Sequence, residues 1–565
     1  RGLVDKPLRP GFAAQAKNKL PHTPPQPILA HQAIMIDKWI RQTSGIVLLL
    51  IGLTSAIAFD RIARWFFFIS PDGDIGDATM LELRVVLASL GVIGFYLFFR
   101  GGVHRFFRWL HHHINTSSTA DFLTIVLSAG LILRVLVILC MEIPLYIDYQ
   151  GYDELAWTWV QQGGYYNGEH LTGYYPVGYP FFLSRLYYLF GHAPLAGVLA
   201  NIFLSLCIGW LSYRIAGRIF GEKTGRWCLL IMMFFPSQIL FVNLLASEML
   251  FTPLFLLSLL MFIPADARGI QGWFKGGVMR PHVTPALQSE GRQASRLTAP
   301  LPQRRLTRSM GDYLLPIAGG VLLGLATLTR ALTQVYWLVL LPLFFLQSGS
   351  LKKAATQTVL VLAALALVVT PWIVRNHQAV GRARVSTNGG INFMIGNNPG
   401  SGMGWIEVDS VEFNTHDATR EAYIDSVGWR RGWAFIRQDP VAFLKRGLLK
   451  IGYFFAGDLT AIHYQMKQAA ENSRVDWSVL VAMYSQGYYI MVLLFGGFGL
   501  VVYARSSGRR PGGYLLWVTI LFWTAVHFVF FGHARFHFPI MPMIVTFAAL
   551  YIVDAVEETE PPIHE

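Results

Sequence analysis

Residues 121–148 read DFLTIVLSAGLILRVLVILCMEIPLYID. This run can cross a bilayer, because a membrane-spanning helix needs about 20 predominantly apolar residues. The run ends on an acid, Asp148, at the point where the chain should leave the hydrocarbon. Apolar runs alternate with polar connections along the rest of the chain, and only helices or closed barrels can span a membrane. The sequence therefore predicts an all-α polytopic membrane protein.

The composition agrees with this prediction. Hydrophobic residues make up 53% of the 565 positions and charged residues only 14%, against about 25% charged residues in an average soluble domain. This deficit excludes a string of soluble domains and intrinsic disorder. The three cysteines have neither metal-site nor disulfide-framework spacing. The net charge of +13 lies mainly in tails and short connections, not in a nucleic-acid-binding cluster.

The apolar runs predict about twelve spans. They are 44–69, 81–100, 121–146, 194–217, 226–243, 245–263, 312–329, 331–347, 354–374, 479–503, 514–531 and 537–554. Lys and Arg concentrate in alternate connections, so the positive-inside rule places both termini in the cytoplasm. The stretches 178–191 and 441–456 are interpreted as short interfacial helices.

The same pattern divides the chain into parts. The loop 147–193 and the linker 264–311 belong to the transmembrane core, on the external and the cytoplasmic side respectively. In chain order the predicted parts are a cytoplasmic tail (1–43), two additional N-terminal helices (44–120), the transmembrane core (121–374), an external mixed domain (375–478), C-terminal helices (479–554) and a second tail (555–565).

The external loop contains the first candidate for chemistry. Asp148, Tyr152 and Ala156 are spaced to lie on one face of a short helix, and the helix dipole favours a carboxylate at its start. From the residues alone, Asp148 is either a functional acid or a capping or solvated charge. The loop's aromatic residues form either an interfacial belt or a surface on which sugar rings stack. They are Trp157, Trp159, Tyr165, Tyr166, Tyr174 and Tyr175.

Several short motifs, spread over about 390 residues, resemble one enzyme family in the same order. They are Asp148-x3-Tyr152-Asp153-x2-Ala156, Gly163-Gly164-Tyr165, Tyr175-Pro176-x-Gly178-Tyr179-Pro180, Ser247-Glu248, Gly324-Leu325-Ala326-x-Leu328-x-Arg330, Pro371-Trp372-x2-Arg375-Asn376, Asn388-Gly389-Gly390-x-Asn392 with Gly396-Asn397-Asn398-Pro399, and Arg535-Phe536-x-Phe538-Pro539. The chain thus resembles the GT-C polyprenyl-phosphate-dependent glycosyltransferases, specifically the bacterial protein O-mannosyltransferase-like branch, which is related to the aminoarabinose transferases. The first two spans and the linker look like additions to the family core.

The resemblance implies a lipid-linked sugar donor, an external active site and inversion at the anomeric carbon. It implies that Asp148 is the general base, because an acceptor hydroxyl is a poor nucleophile until a carboxylate takes its proton. It gives Glu248 a supporting catalytic role. A carboxylate at a low-dielectric boundary and away from arginine would also have a raised pKa, which makes it a better base.

Span ends supply the expected phosphate ligands. Arg330, Arg375 and Arg535 share one predicted membrane depth and, with His533, would stabilise the charge that develops on the leaving phosphate. Snorkelling to lipid headgroups is the other interpretation of an arginine at a span end. The expected substrate-binding residues are Tyr152, Tyr175, Asn376 and Asn397.

Two other features refine the resemblance. The Gly- and Asn-rich segment 388–404 is interpreted as a substrate-binding loop or lid, since glycine lets backbone amides approach a ligand. The aminoarabinose branch carries a lysine in the proline-rich part of the first loop, whereas Tyr175-Pro176-Val177-Gly178 has none. This departure weakens an assignment to lipid A and leaves the phosphate to arginine.

The sequence thus predicts an inverting glycosyltransferase of the bacterial inner membrane with its active site facing the periplasm. Its expected partners are a polyprenyl-phosphate-linked sugar and a glycan, lipid or protein acceptor, without nucleic acid. No cofactor is expected to be required, and a divalent cation is compatible with the pattern. A transporter or flippase, or a ligase for a lipid-linked glycan, is the alternative. Transporters often show repeated halves and midplane charges, whereas these polar residues collect at one face.

Overall fold

The structure, a computed structural model, describes residues 105–263, 303–399, 420–465, 478–506 and 511–557, with the isolated positions 94 and 102. Helices dominate these ranges, and the predicted all-α fold class is confirmed. The predicted spans 44–69 and 81–100 lie outside the described residues, apart from position 94.

After the helical residues 105–116, the first half of the described chain forms seven helices and a small hairpin. The hairpin pairs β1 (Tyr166–Asn167) with β2 (His170–Leu171) in antiparallel register. The helices are α1 (Thr119–Cys140), α2 (Asp148–Gln162), α3 (Gly178–Phe190), α4 (Pro194–Phe220), α5 (Glu222–Met233), α6 (Pro236–Leu240) and α7 (Ser247–Phe262).

Besides the helical residues 460–465, the second half of the described chain contains nine helices. They are α8 (Gln303–Thr329), α9 (Trp337–Ser348), α10 (Leu351–Val380), α11 (Gly389–Gly396), α12 (Glu421–Gln438), α13 (Pro440–Ala456), α14 (Ser478–Arg505), α15 (Pro511–Val529) and α16 (Met541–Glu557). Short 3-10 segments cover Phe241–Asn243, Ala331–Val335 and Ala534–Ile540.

Seven helices within the described ranges are long and apolar enough to cross a membrane, or eight if the bent pair α5–α6 is one span. The chain is therefore a multi-pass membrane protein. Two other predicted spans, 245–263 and 331–347, contain helices of 16 and 12 residues. The total of twelve is thus not confirmed.

Proline explains the bend of 58° between α5 and α6. Pro236 begins α6 and has no N–H to continue the preceding helix. The residue before it, Phe235, takes the extended conformation that a following proline favours.

Burial separates the outer helices from the centre of the bundle. Large apolar side chains of α1, such as Ile125 and Leu139, are exposed, as expected where a helix faces lipid. By contrast, α7 is buried on nearly all sides. Arg134 of α1 is also buried, and it donates to Ser205 of α4 and to the carbonyl of Met233. A buried cation inside a span is expected to face the bundle interior, and this one connects three helices.

The described part of the Gly- and Asn-rich segment, which was predicted to be a substrate-binding loop or lid, is mostly helical. Residues Gly389–Gly396 form α11, most of which is buried against α12. A Cβ atom at Gly390 would lie 1.9 Å from the carbonyl oxygen of Asp425, and one at Gly396 would lie 2.5 Å from that of Phe530. Glycine at these positions therefore permits close packing of backbones. Residues 400–419 lie outside the described ranges.

Candidate active site

The site begins where the chain leaves α1 and enters α2. Asp148 is the first residue of α2, as the spacing of the loop predicted. The preceding residue, Ile147, has a φ of 47°, which is a strained conformation for a β-branched residue. This turn leaves the Asp148 carboxylate at the helix N-terminus, where the dipole stabilises its charge.

Each oxygen of Asp148 accepts a hydrogen bond from a distant part of the chain. Tyr175 donates its hydroxyl to Oδ1 at 2.9 Å. Arg535 donates from Nη2 to Oδ2 at 2.5 Å. About a quarter of the Asp148 side chain remains exposed (25%), against 12% for Arg535. The carboxylate is therefore held by charged and neutral donors yet still reachable from outside.

Glu248 is the second carboxylate of the cluster and is fully buried. Its Oε1 lies 2.7 Å from Nη1 of Arg330 and 3.0 Å from Nε of Arg535. A buried carboxylate without such partners would be strongly destabilising. Arg535 thus connects the two carboxylates, and Arg330 completes the arrangement.

Neighbouring side chains fix the orientation of both arginines. The guanidinium carbons of Arg330 and Arg535 each lie 5.3 Å from the ring centroid of Phe536, within cation–π range. Ser247 accepts hydrogen bonds from Nη1 of Arg330 at 3.2 Å and from the Tyr152 hydroxyl at 3.4 Å. Tyr152 of α2 is buried, and its ring packs edge-on against the rings of Tyr175 and Tyr179. It therefore supports the cluster. We call the group Asp148, Glu248, Arg330, Arg535 and Tyr175 the carboxylate–arginine cluster.

The arginine partner corrects the expected ionisation of Asp148. Burial alone would raise the pKa of this carboxyl, but the charge and hydrogen bond of Arg535 outweigh it and hold the pKa below its ordinary value. Tyr175 and the charge of Arg330 act in the same direction. The expectation of a raised pKa is therefore wrong for this structure, because a loop without Lys or Arg receives its cation from elsewhere.

His533 lies beside the cluster in a neutral form. Burial, helped by the charge of Arg535, lowers the pKa of His533 to about 4. Its Nδ1 accepts the backbone N–H of Arg535 at 3.2 Å, so the proton of the neutral ring is on Nε2. His533 can therefore donate a hydrogen bond but adds no positive charge near neutral pH.

Arg375 was predicted to join the other two arginines, and the structure does not bring it there. Its guanidinium donates to the backbone carbonyls of Thr172 and Tyr165. It lies 4.7 Å from the ring centroid of Trp372. The guanidinium therefore holds the residues on both sides of the hairpin. A common depth at a span end did not fix the direction of this side chain.

The two asparagines predicted to bind substrate have structural partners instead. Nδ2 of Asn376 donates to the carbonyls of Arg384 and Val385, and its Oδ1 accepts from Arg375. Nδ2 of Asn397 donates to the carbonyls of Phe393 and Val529. Its Oδ1 lies 3.3 Å from Nζ of Lys450. Both side chains are buried, so their amides connect segments of the fold.

Sequence reasoning missed another carboxylate, outside the cluster, that binds the segment between β2 and Tyr175. Glu421, the first residue of α12, accepts hydrogen bonds from the Thr172 hydroxyl, from the Gly173 N–H at 3.0 Å and from the Thr387 hydroxyl at 3.0 Å. Burial raises the pKa of Glu421. We call Glu421 with Arg375 the loop clamp, because both hold the segment that leads to Tyr175.

The signal for Glu421 was absent from the sequence. Thr172 lies 249 positions before Glu421, and neither residue belongs to a recognisable motif.

Among the described residues, no group of three or more His, Cys, Asp or Glu side chains is arranged to hold a metal ion.

Comparisons with known proteins found similarity only to solved structures, at low sequence identity. No family model and no curated protein matches the chain. Among solved structures, it is similar to the archaeal oligosaccharyltransferase AglB from Archaeoglobus fulgidus in complex with an inhibitory peptide and a dolichol-phosphate, with a TM-score of 0.43, 14% identity, and coverage of 79% of this chain and 52% of that chain. The chain thus spans about half the length of that protein.

A second similar structure is ArnT from Cupriavidus metallidurans bound to undecaprenyl phosphate, with a TM-score of 0.37, 12% identity and 78% coverage of each chain. At this level of similarity, the function of the chain must be inferred from its own residues.

Proposed function

We propose that the chain is an inverting glycosyltransferase, which moves a sugar from a polyprenyl-phosphate donor to a hydroxyl acceptor at the periplasmic face of a bacterial inner membrane. The observation that supports this proposal is the carboxylate–arginine cluster at one end of an apolar helix bundle. It combines a partly exposed carboxylate with guanidinium groups where an amphiphilic donor could place its phosphate.

Each partner has one task in the proposed reaction. Asp148 accepts the proton of the acceptor hydroxyl as the acceptor oxygen attacks the anomeric carbon. The bond between that carbon and the phosphate oxygen breaks, and its electron pair stays on the departing polyprenyl phosphate. Attack from the side opposite the leaving group inverts the configuration.

The arginines supply the charge that the leaving group needs. Arg330 contacts Glu248 and Ser247 through Nη1, so Nε and Nη2 remain for phosphate oxygens. Charged donors fixed beforehand in a poorly solvated site stabilise developing negative charge far better than water-exposed groups do. His533 adds a neutral donor, and Glu248 keeps both guanidinium groups oriented.

One feature favours the alternative of a transporter. The bent pair α5–α6 resembles the broken helices around which transporters build their binding sites. However, the break lies at Phe234 and Phe235, and the carboxylate–arginine cluster is formed by other segments. The enzyme proposal accounts for the cluster, whereas the bend has a sufficient cause in Pro236.

An assay separates the two functions. Purified protein in vesicles is supplied with undecaprenyl phosphate carrying a radiolabelled hexose and with a cell-envelope extract as acceptor. We expect release of undecaprenyl phosphate and transfer of label, both dependent on Asp148. Movement of intact donor across the membrane without turnover would overturn the proposal. If label is transferred, mass spectrometry of surface glycans from a deletion strain would identify the sugar and the acceptor.

A further inference from the structure

Arg535 is shared between two carboxylates that are held very differently. Nη2 contacts Asp148 at 2.5 Å, and Nε lies 3.0 Å from Glu248. Glu248 also has Arg330 at 2.7 Å, whereas Arg535 is the only ion-pair partner of Asp148 among the described residues. If Arg535 turned away, Glu248 would keep a cation and Asp148 would not.

The charges of the cluster are already balanced. Two guanidinium groups face two carboxylates, so an arriving phosphate brings negative charge that this arrangement does not compensate. Burying charge without a partner is costly, and the cluster must therefore redistribute its hydrogen bonds. The ion pair that can break at least cost is the one with Asp148, since this carboxylate is partly exposed while Glu248 is fully buried.

We propose that the donor phosphate and the Asp148 carboxylate compete for Arg535, so that donor binding breaks their ion pair and frees Asp148 to act as the base. This inference rests on the proposed function and adds a control to it. Without donor, Arg535 keeps Asp148 a poor proton acceptor. With donor, the acceptor hydroxyl meets an unpaired carboxylate beside a phosphate, which attracts its proton more strongly.

Asp148 has charged or titratable neighbours on every segment packed around it, and the test must separate their effects. They are Arg535 and His533 from the 3-10 segment, Arg330 after α8, Glu248 from α7, Tyr175 before α3, Tyr149 and Tyr152 from α2 itself, and Tyr464. The phosphate monoester also titrates, with a second pKa near 6. A comparison of variants that differ in Asp148 removes these shared contributions.

The experiment is calorimetric titration of the full chain with undecaprenyl phosphate in detergent, between about pH 4 and pH 7. Buffers of different ionisation enthalpy give the number of protons exchanged. We expect the wild type to take up more protons than Asp148→Asn, by as much as one per chain. In the Arg535→Gln background, Asp148→Asn should make a clearly smaller difference, because no ion pair remains to break and only the charge of the nearby phosphate acts on Asp148. Arg330→Gln should keep it, because the Arg535–Asp148 pair is intact.

Each other outcome has a distinct meaning. Binding with the same proton exchange in wild type and Asp148→Asn would overturn the competition, while the proposed function stands. Failure of undecaprenyl phosphate to bind the folded wild type would instead overturn the proposed function.

If a variant does not fold, the pH profiles of the wild type give a second measurement. The acid limb of kcat, which reports the complex, should lie at higher pH than that of kcat/KM for the donor, which reports the free protein. Coincident limbs would contradict the proposal.

Discussion

Asp148 and Glu421 are two carboxylates that bind the segment between β2 and α3, Glu421 at Thr172 and Gly173 and Asp148 at Tyr175. Their partners shift the pKa values of the two carboxyl groups in opposite directions. Asp148 pairs with the guanidinium of Arg535, whereas Glu421 receives two hydroxyls and one backbone N–H. Charged donors lower the pKa of Asp148, and burial raises the pKa of Glu421. Burial alone therefore does not decide the direction of a carboxyl pKa shift, because the charge of the hydrogen-bond donors also contributes.

The difference teaches how the site divides its work. The carboxylate–arginine cluster keeps charges apart from water and ready for a charged ligand. Within the loop clamp, the donors to Glu421 are two hydroxyls and one backbone N–H, all neutral, and they fix the geometry of the loop. Arg375 belongs with the clamp, since its partners are backbone carbonyls. The variants below test whether chemistry and positioning separate in this way.

The largest effect is expected for Asp148→Asn. The amide keeps the shape of the carboxylate but cannot take a proton, so turnover should fall by roughly 10²–10⁴-fold. Binding of undecaprenyl phosphate should persist, because the arginines remain. Turnover of labelled donor and calorimetry measure the two quantities.

Asp153→Asn is the matched control on the same helix. Asp153 is buried and has partners of its own: it accepts a hydrogen bond from Tyr187 and pairs with His192 at 2.9 Å. We expect a less stable protein with wild-type turnover per folded chain. Near wild-type turnover in folded Asp148→Asn would show that Asp148 is not the general base.

The next effect separates the arginines. Arg330→Gln removes a charged donor from the proposed phosphate site, and we expect kcat/KM for the donor to fall by about 10²-fold. Arg375→Gln should lower the melting temperature and kcat, with the dissociation constant of undecaprenyl phosphate unchanged. Equal losses of affinity in both variants would show that Arg375 also acts on the phosphate.

A smaller effect is expected at the loop clamp. Glu421→Ala leaves the donors of Thr172, Gly173 and Thr387 without their buried acceptor, which should cost roughly 2–3 kcal/mol of unfolding free energy. Glu421→Gln keeps an acceptor oxygen and the size of the side chain, so it should be close to wild type. Thermal unfolding in detergent gives the comparison, and equal stability of all three proteins would refute the clamp.

The smallest effect is the pH dependence of stability, and its sign differs between the two carboxylates. The pKa of Asp148 is lowered by folding, so its contribution is present above its ordinary pKa and is lost as the pH falls through the lowered value. The pKa of Glu421 is raised, so its contribution is present below its ordinary pKa and is lost as the pH rises through the raised value. Melting curves of Asp148→Asn and Glu421→Gln should therefore deviate from wild type with opposite slopes; parallel curves would contradict the assignment.

The sequence was informative where a residue is fixed by a span end and a motif. Asp148 was placed at a helix start, and Glu248, Arg330 and Arg535 were named as neighbours of the same reaction. Their exact pairing could not be predicted, since Asp148 and Arg535 are 387 positions apart. This distance also explains the wrong sign of the expected pKa shift.

Other predictions met an additional structural role, where one residue type serves two purposes. Glycine at Gly390 suggested a ligand-binding loop, but it permits close contact with Asp425. Asn397 suggested a substrate contact, but its amide connects α11 to α15 and α13. A single sequence carries no information on which backbones approach each other, so packing and binding glycines look the same.

The most direct test of the central claim is a structure of the full chain with undecaprenyl phosphate bound. The account predicts the phosphate at the carboxylate–arginine cluster, within hydrogen-bonding distance of Arg330 or Arg535, and the prenyl chain between apolar helices. Asp148 should lie beside it with its exposed face toward the acceptor side. A phosphate bound at the opposite end of the bundle, or away from both arginines, would contradict the account.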